Sequence, residues 1–277
     1  MILADVLADY EKQLDAVGEE PEALSFVYRG LKHWDLTQFV LHLRQEVSEE
    51  DEKLLSSIFN QLKVHKPAQY ILGFEDFHGL RFQVDERVLI PRPETEELVE
   101  LILAENPKTE LKVLDIGTGS GAIAVSLKES CPLWQVTASD LSVDALELAR
   151  ENAKLNQVDI SFIQSNVFEV ISDSFDIIVS NPPYISENDK DEVGLNVLAS
   201  EPKMALFADE DGLAVYRQII ERAAKHLSPQ GKLYFEIGYK QGSDLKKLLS
   251  LHFPDKCVRV LKDQFGQDRM VVMDDGN

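Results

Sequence analysis

With 277 residues, 44% of them hydrophobic, the chain can bury one substantial core and a second, smaller one, so two domains are expected. Its 28 Lys and Arg face 49 Asp and Glu, a net charge of -21 that repels polyanions and argues against stable nucleic-acid binding through phosphates. Two cysteines outside any Cys-x-x-Cys spacing, six scattered histidines and no run of ~18 apolar residues exclude a disulfide framework, a metal site and a membrane span, and make the cytoplasm the expected location.

Residues 1–72 read as a small helical domain. Val6, Leu7 and Leu14, then Leu36, Phe39, Val40 and Leu43, then Leu54, Leu55, Ile58 and Leu62 recur at three- and four-residue steps. Gly18 to Glu22 and the acidic run Ser48 to Glu52 mark turns or helix starts. Residues 73–93 change to short alternating apolar segments, Phe77 to Val84 and Arg87 to Ile90 with a turn near Asp85-Glu86, so a hairpin connector is expected there. Pro93 then opens a helix whose carboxylate-rich first turn suits the positive end of the helix dipole.

Residues 94–277 alternate strand and helix, the pattern of a doubly wound, mostly parallel α/β sheet. Strands are expected at Lys112–Ile116, Gln135–Ser139, Ile160–Gln164, Phe175–Ser180 and Lys232–Ile237. A helix is expected from Gly212 to Leu227, ended by Pro229-Gln230-Gly231. Val258–Leu261 and Met270–Met273 flank Phe265-Gly266-Gln267-Asp268, which predicts a terminal hairpin and a final antiparallel strand.

Gly117-Thr118-Gly119-Ser120-Gly121-Ala122 links the first of these strands to a helix expected to start at about Ser120. Glycines there permit positive φ and let backbone amides approach a nucleotide-like ligand. Taken alone the loop also satisfies a dinucleotide fingerprint, so an oxidoreductase stays open at this point. Asp140, ending the second strand, suits ribose hydroxyls in either class.

Asn181-Pro182-Pro183-Tyr184 follows the strand Phe175–Ser180. In an open parallel sheet both motifs should meet at the carboxyl ends of the strands. The Asn181 side-chain oxygen and the Pro182 carbonyl can accept the two N–H groups of one planar amino group. The prolines fix that carbonyl, and Tyr184 can lie against the flat face of the acceptor. Such a pair of acceptors orients a poor amide nucleophile and stabilises positive charge developing on nitrogen without a strong base. The residue set points to transfer onto an amino group, and a turn that merely ends a strand is the plain alternative.

With these motifs in view the sequence resembles the release-factor glutamine methyltransferases, the HemK/PrmC-type family, over nearly its whole length. The matching segments are Gln69 to Gly73, Ile90 to Glu96, Asp115 to Ala124, Asn181 to Ile185, and Glu201-Pro202 with Ala205-Leu206. The resemblance implies a seven-stranded class I fold that uses S-adenosylmethionine. It also implies a helical domain that helps dock a class I peptide-chain release factor, the acceptor being the glutamine of its Gly-Gly-Gln loop; a monomer is expected. By position, Gly117, Thr118, Gly119, Ser120 and Gly121 would line the methionine and ribose, Asp140 would take the ribose hydroxyls, and Asn166 and Val167 would lie at adenine. Asn181, Pro182, Pro183 and Tyr184 would hold the glutamine amide, with Asn181 also bordering the cofactor. Asn166 departs from the family, which often has a carboxylate there. Because Asn-Pro-Pro-Tyr is shared with adenine and cytosine amino-methyltransferases, a nucleic-acid acceptor is the alternative reading, as is the glutamine of a ribosomal protein.

Overall fold

The computed structural model describes residues 1–276. It divides into two compact units, Met1–Phe74 together with Val193–Glu201, and Glu75–Glu192 together with the chain from Pro202 onward.

The first unit is helical. Helices Leu3–Asp15, Glu22–Leu31 and Glu49–Leu62 bury Leu7, Leu14, Leu24, Val27, Leu55 and Ile58 in one core. The Glu49 helix starts where the sequence is most acidic: the Ser48 hydroxyl accepts from the Asp51 amide at 3.1 Å, and four carboxylates occupy the first turn. Both features satisfy or complement N–H groups that have no partner inside the helix. Gly30 permits a close approach, since a Cβ there would stand 2.6 Å from the Leu72 side chain. The helix Leu36–His42 forms, with an Asp35–Gln38 capping box, but it buries none of its residues, and Leu36 and Val40 are exposed. A helix of two turns presents too little apolar surface for every periodic position to reach a core.

From Glu75 the chain enters the second unit within a hairpin of β1 (Phe74–Phe77) and β2 (Leu80–Gln83). The sequence expectation placed this reversal at Asp85-Glu86, and the structure places it at His78-Gly79. Both of those residues have positive φ, 49° and 74°, as a two-residue hairpin turn requires. Arg87–Ile90 is therefore not a strand. Instead the Asp85 carboxylate accepts from the Arg87 amide at 3.1 Å and from its guanidinium at 2.7 Å, which bends the chain locally.

Seven further strands form the main sheet: β3 (Lys112–Ile116), β4 (Gln135–Asp140), β5 (Ser161–Gln164), β6 (Phe175–Ser180), β7 (Leu227–Glu236), β8 (Cys257–Lys262) and β9 (Asp268–Asp274). Their order is β5-β4-β3-β6-β7-β9-β8, with β9 antiparallel to both neighbours and the rest parallel. Alternate residues serve opposite faces. Val113, Ile177, Val179 and Val272 pack with Leu98, Ile102 and Val125, whereas Leu114, Ile178, Leu233 and Phe235 pack with Tyr216, Ile220 and Leu245. Helices cover both faces, which is why apolar residues of the central strands lie on both sides of the sheet.

The helix expected from Gly212 is shorter, spanning Ala214–Ala223. Glu210, Asp211 and Gly212 all take positive φ, so the regular helix starts only beyond them. Its far end is limited by β7, which begins at Leu227. No helix among the described residues is long and apolar enough to cross a membrane.

Candidate active site

The strand order places two loops side by side. β3 lies between β4 and β6, so the chain runs one way from β3 and returns on its other side, the switch point at which open α/β sheets form a ligand crevice. In the β3–β6 register Ile116 stands opposite Ser180, whose hydroxyl donates to the Ile116 carbonyl at 2.6 Å. The glycine turn leaves one strand and Asn181 leaves the other.

Between them lies a cavity of about 610 Å³, within the range of ordinary small-molecule sites. Gly117, Thr118, Gly119 and Ser120 line it, as do Asp140, Asn166 and Val167. Asn181, Pro182 and Pro183 complete the opposite wall. The structure thus brings ten of the sequence-derived positions to one space. Gly121 and Tyr184 lie behind the wall. Gly121, φ 83°, is wedged where a Cβ would meet that of Ala149 at 3.3 Å, and it caps a helix that begins at Ala122, two residues later than expected. Tyr184 packs into the apolar core on that side of the sheet, and its carbonyl accepts from Gln241 Nε2 at 2.9 Å. That carbonyl lies so close to Gly212 that a Cβ there would overlap it at 2.0 Å.

The turn after β3 is tied down by its own backbone. The amides of Gly117 and Thr118 both donate to the Ser139 carbonyl, at 2.8 and 3.0 Å. Gly119 donates to Asp140 Oδ2 at 2.9 Å, and Ser142 donates to Oδ1 at 2.9 Å. Burial raises the Asp140 pKa, and the amides of Ser142, Gly119 and Leu141 oppose that rise. Asp115, fully enclosed beneath the turn, accepts from the Thr118 hydroxyl at 2.6 Å, and burial pushes it up to about 7. Gly117 and Gly119 have φ of 73° and 55° with open space where a Cβ would stand, so the turn leaves room for a ligand along its backbone. A glycine turn, a helix start and a carboxylate at the end of the next strand fit a nucleoside-bearing cofactor with vicinal hydroxyls.

Val167 has φ 52°, an outlier for a β-branched residue. Its carbonyl accepts from the Ser165 hydroxyl at 2.9 Å, and the Ser165 amide in turn donates to the Asp140 carbonyl at 2.9 Å. The strained turn is therefore anchored to the same strand end that carries Asp140.

On the acceptor side, Asn181 Nδ2 donates to Thr95 Oγ1 at 3.3 Å, and the Thr95 hydroxyl donates to Glu236 Oε2 at 2.6 Å. Thr95 lines the cavity and Glu236 lies beneath it, fully enclosed. Burial pushes Glu236 up to about 7, opposed by the Thr95 hydrogen bond and by Arg269. The sequence reading missed both residues. The cue for Glu236 was a carboxylate inside the apolar strand Leu233-Tyr234-Phe235-Glu236-Ile237. Also unforeseen are Ser142, Phe207 and Gln218, which border the cavity from three separate segments.

The Methyltransferase small domain family matches residues 95–209, and the PrmC N-terminal domain family matches residues 5–73. The chain is 60% identical to the release factor glutamine methyltransferase of Streptococcus pneumoniae (strain ATCC BAA-255 / R6), over 100% of this chain and 99% of that one. It is 50% identical to the protein of the same name from Lactococcus lactis subsp. lactis (strain IL1403), over 94% and 96%. Among solved structures, a methyltransferase from Pyrococcus furiosus aligns over 72% of this chain and 90% of its own, with a TM-score of 0.54 and 21% identity, a likeness of fold.

Proposed function

The chain belongs to the release factor glutamine methyltransferase family, and from that premise we propose the following reading of its site. It uses S-adenosylmethionine and methylates the side-chain amide nitrogen of the glutamine in the Gly-Gly-Gln loop of a class I peptide-chain release factor. The observation that carries this reading is the single cavity that Asp140 and Asn181 share.

When bound, S-adenosylmethionine supplies an electrophilic methyl group on a sulfonium. The turn Gly117–Ser120 would hold the methionine and ribose portion, with Gly121 shaping it from behind; Asp140 would accept from the ribose hydroxyls, and Asn166 and Val167 would border adenine. An amide at Asn166 accepts from the adenine amine without charge assistance, a difference of about 1 kcal/mol from a carboxylate. Asn181 Oδ1 and the Pro182 carbonyl each accept one N–H of the glutamine amide. Holding both hydrogens fixes the amide plane, directs the nitrogen lone pair toward the methyl donor, and stabilises positive charge as it develops. Pro183 stiffens the acceptor wall, and Tyr184 supports it from behind. The proton leaves to water after transfer, so no His or Lys is required at the motif.

The helical region of residues 1–72 docks the protein partner, residues 73–93 connect it, and residues 94–277 perform the transfer. The enzyme acts as a cytoplasmic monomer, and its charge of -21 favours a basic protein surface over nucleic acid.

Intact-mass measurement of a release factor after incubation with enzyme and S-adenosylmethionine tests the reading. One added methyl group is expected, and none when the Gly-Gly-Gln glutamine is replaced. Methylation that survives the replacement, or that appears on a ribosomal protein or an oligonucleotide instead, contradicts it.

A further inference from the structure

Asn181 ends in a carboxamide whose oxygen accepts and whose nitrogen donates, so the two orientations of that group are opposite chemical instruments. Only the orientation with Oδ1 toward the cavity can take an N–H from an acceptor. What selects it lies behind the residue, on two other elements.

The helix Pro93–Glu105 carries Thr95 in its first turn, and β7, the parallel neighbour of β6, carries Glu236 at its end. Thr95 is 4% exposed and Glu236 is 2% exposed. An ionised carboxylate can only accept, so at 2.6 Å the single Thr95 hydroxyl hydrogen is committed to Glu236. The Thr95 oxygen is then left as an acceptor, and the group facing it at 3.3 Å is Asn181 Nδ2. The Asn181 side chain also hydrogen-bonds Glu236 directly, so a flipped carboxamide would set Oδ1 against both the Thr95 oxygen and the carboxylate with no hydrogen between them, in a buried place where an unsatisfied contact is costly. Glu236 is itself fixed, because its backbone carbonyl accepts from the Tyr216 hydroxyl at 2.6 Å.

We propose that Thr95 and Glu236 are positioning residues for the transfer: they hold the Asn181 carboxamide with its nitrogen inward, so that Oδ1 is the atom presented to the acceptor amide. This rests on the reading of the site given above and adds to it the origin of Asn181's orientation.

The relay is directional and reverses when its terminal group is protonated. A neutral Glu236 can donate to the Thr95 oxygen, which frees the Thr95 hydrogen to meet Asn181 Oδ1 and removes the bias. The groups around Glu236 set where that happens. Arg269 on β9 favours its charge, and Glu94 on the Pro93 helix opposes it. Tyr184 and Tyr216 adjoin the same cluster, with Arg92 beside Tyr184. Burial outweighs Arg269 and carries Glu236 up to about 7. Transfer should therefore weaken as the pH falls through that value. Asp115 titrates in the same range beneath the glycine turn, so a variant at Glu236 is needed to assign the effect.

The experiment is single-turnover methyl transfer to a release factor at saturating S-adenosylmethionine by Thr95→Val, Thr95→Ser and Glu236→Gln. Calorimetric titration with S-adenosylhomocysteine accompanies it. Thr95→Val and Glu236→Gln should slow transfer by about ten- to a hundredfold while S-adenosylhomocysteine affinity stays within about twofold. Thr95→Ser, which keeps the hydroxyl, should recover most of the rate, and the acid limb seen near neutrality in the unmodified enzyme should vanish in Glu236→Gln. A Thr95→Val enzyme as fast as the unmodified one, a Thr95→Ser enzyme as slow as Thr95→Val, or an acid limb that persists in Glu236→Gln overturns the proposal. An unmodified enzyme that methylates no release factor would defeat the functional reading instead. The nuclear magnetic resonance signal of the Asn181 side-chain amide then decides the inference alone. It should shift with pH near neutrality and lose that dependence in Glu236→Gln; a signal indifferent to both overturns it.

Discussion

The two walls of the cavity are built by different means. The cofactor wall is mostly backbone: a turn whose amides bond to Ser139 and Asp140, with glycines in conformations other residues avoid. The acceptor wall depends on side chains, with Asn181, Thr95 and Glu236 from three separate elements hydrogen-bonded to one another. A backbone wall is shaped by local sequence and tolerates changes elsewhere. A side-chain relay is only as good as its most distant member and carries a buried ionisable group as its cost.

This contrast can be broken by removing one group from each wall. Asn181→Ala is expected to have the largest effect, a loss of about 2.7 to 4 kcal/mol of transition-state stabilisation, or about a hundred- to thousandfold in transfer rate. Titration should find its affinity for S-adenosylhomocysteine nearly intact. Asp140→Ala should act on the other wall and weaken S-adenosylhomocysteine binding by about 3 kcal/mol, the worth of charge-assisted hydrogen bonds. Equal losses of binding in both variants would erase the distinction.

The cost of the acceptor wall is measurable as stability. Glu236 has its pKa raised from 4.5 to about 7 in the folded state, so between those values the folded chain holds a proton that the unfolded chain has released. Stability accordingly falls as the pH rises from about 4.5 to about 7, and the deficit stays constant above. Glu236→Gln should remove a deficit of roughly 3 kcal/mol, so thermal melting should show it more stable than the unmodified protein at pH about 8 even though it transfers more slowly. At pH about 4 the two should converge, and a variant that melts lower at both values would contradict the assignment.

The smallest expected effect sharpens the description of the backbone wall. Gly119 has φ 55° and open space around a would-be Cβ, so Gly119→Ala should cost only the left-handed backbone strain, about 1 to 2 kcal/mol. Denaturant unfolding reads this directly, and an unchanged midpoint would mean that the turn relaxes without penalty.

The same contrast explains what could be read from the sequence. Strands β3 and β6 were legible because both faces of each are largely buried and their apolar runs are broken only by Asp115 and Asp176. The glycine turn and Asn181 were legible because each directly follows its strand, and sheet topology then brings them together. Thr95 and Glu236 are 141 positions apart, and no local pattern announces that they meet. Glu236 was visible only as a charge out of place in an apolar strand. The hairpin was misplaced for a different reason. Alternation does not by itself locate a reversal, and the positive φ of His78 and Gly79 decides it. In the helical unit, periodicity correctly marked a helix from Leu36, whose burial is only partial, since amphipathic spacing states which side faces a core and not how deeply.

The central claim is that one cavity joins two walls, one holding the methyl donor and the other orienting the amide. Its most direct test measures Asp140→Ala and Asn181→Ala side by side for S-adenosylhomocysteine binding and for single-turnover transfer at saturating S-adenosylmethionine. Asp140→Ala should bind weakly yet transfer near the unmodified rate once saturated, while Asn181→Ala should bind normally and transfer slowly. If both variants lose the same step to the same degree, the division of labour between the walls is contradicted.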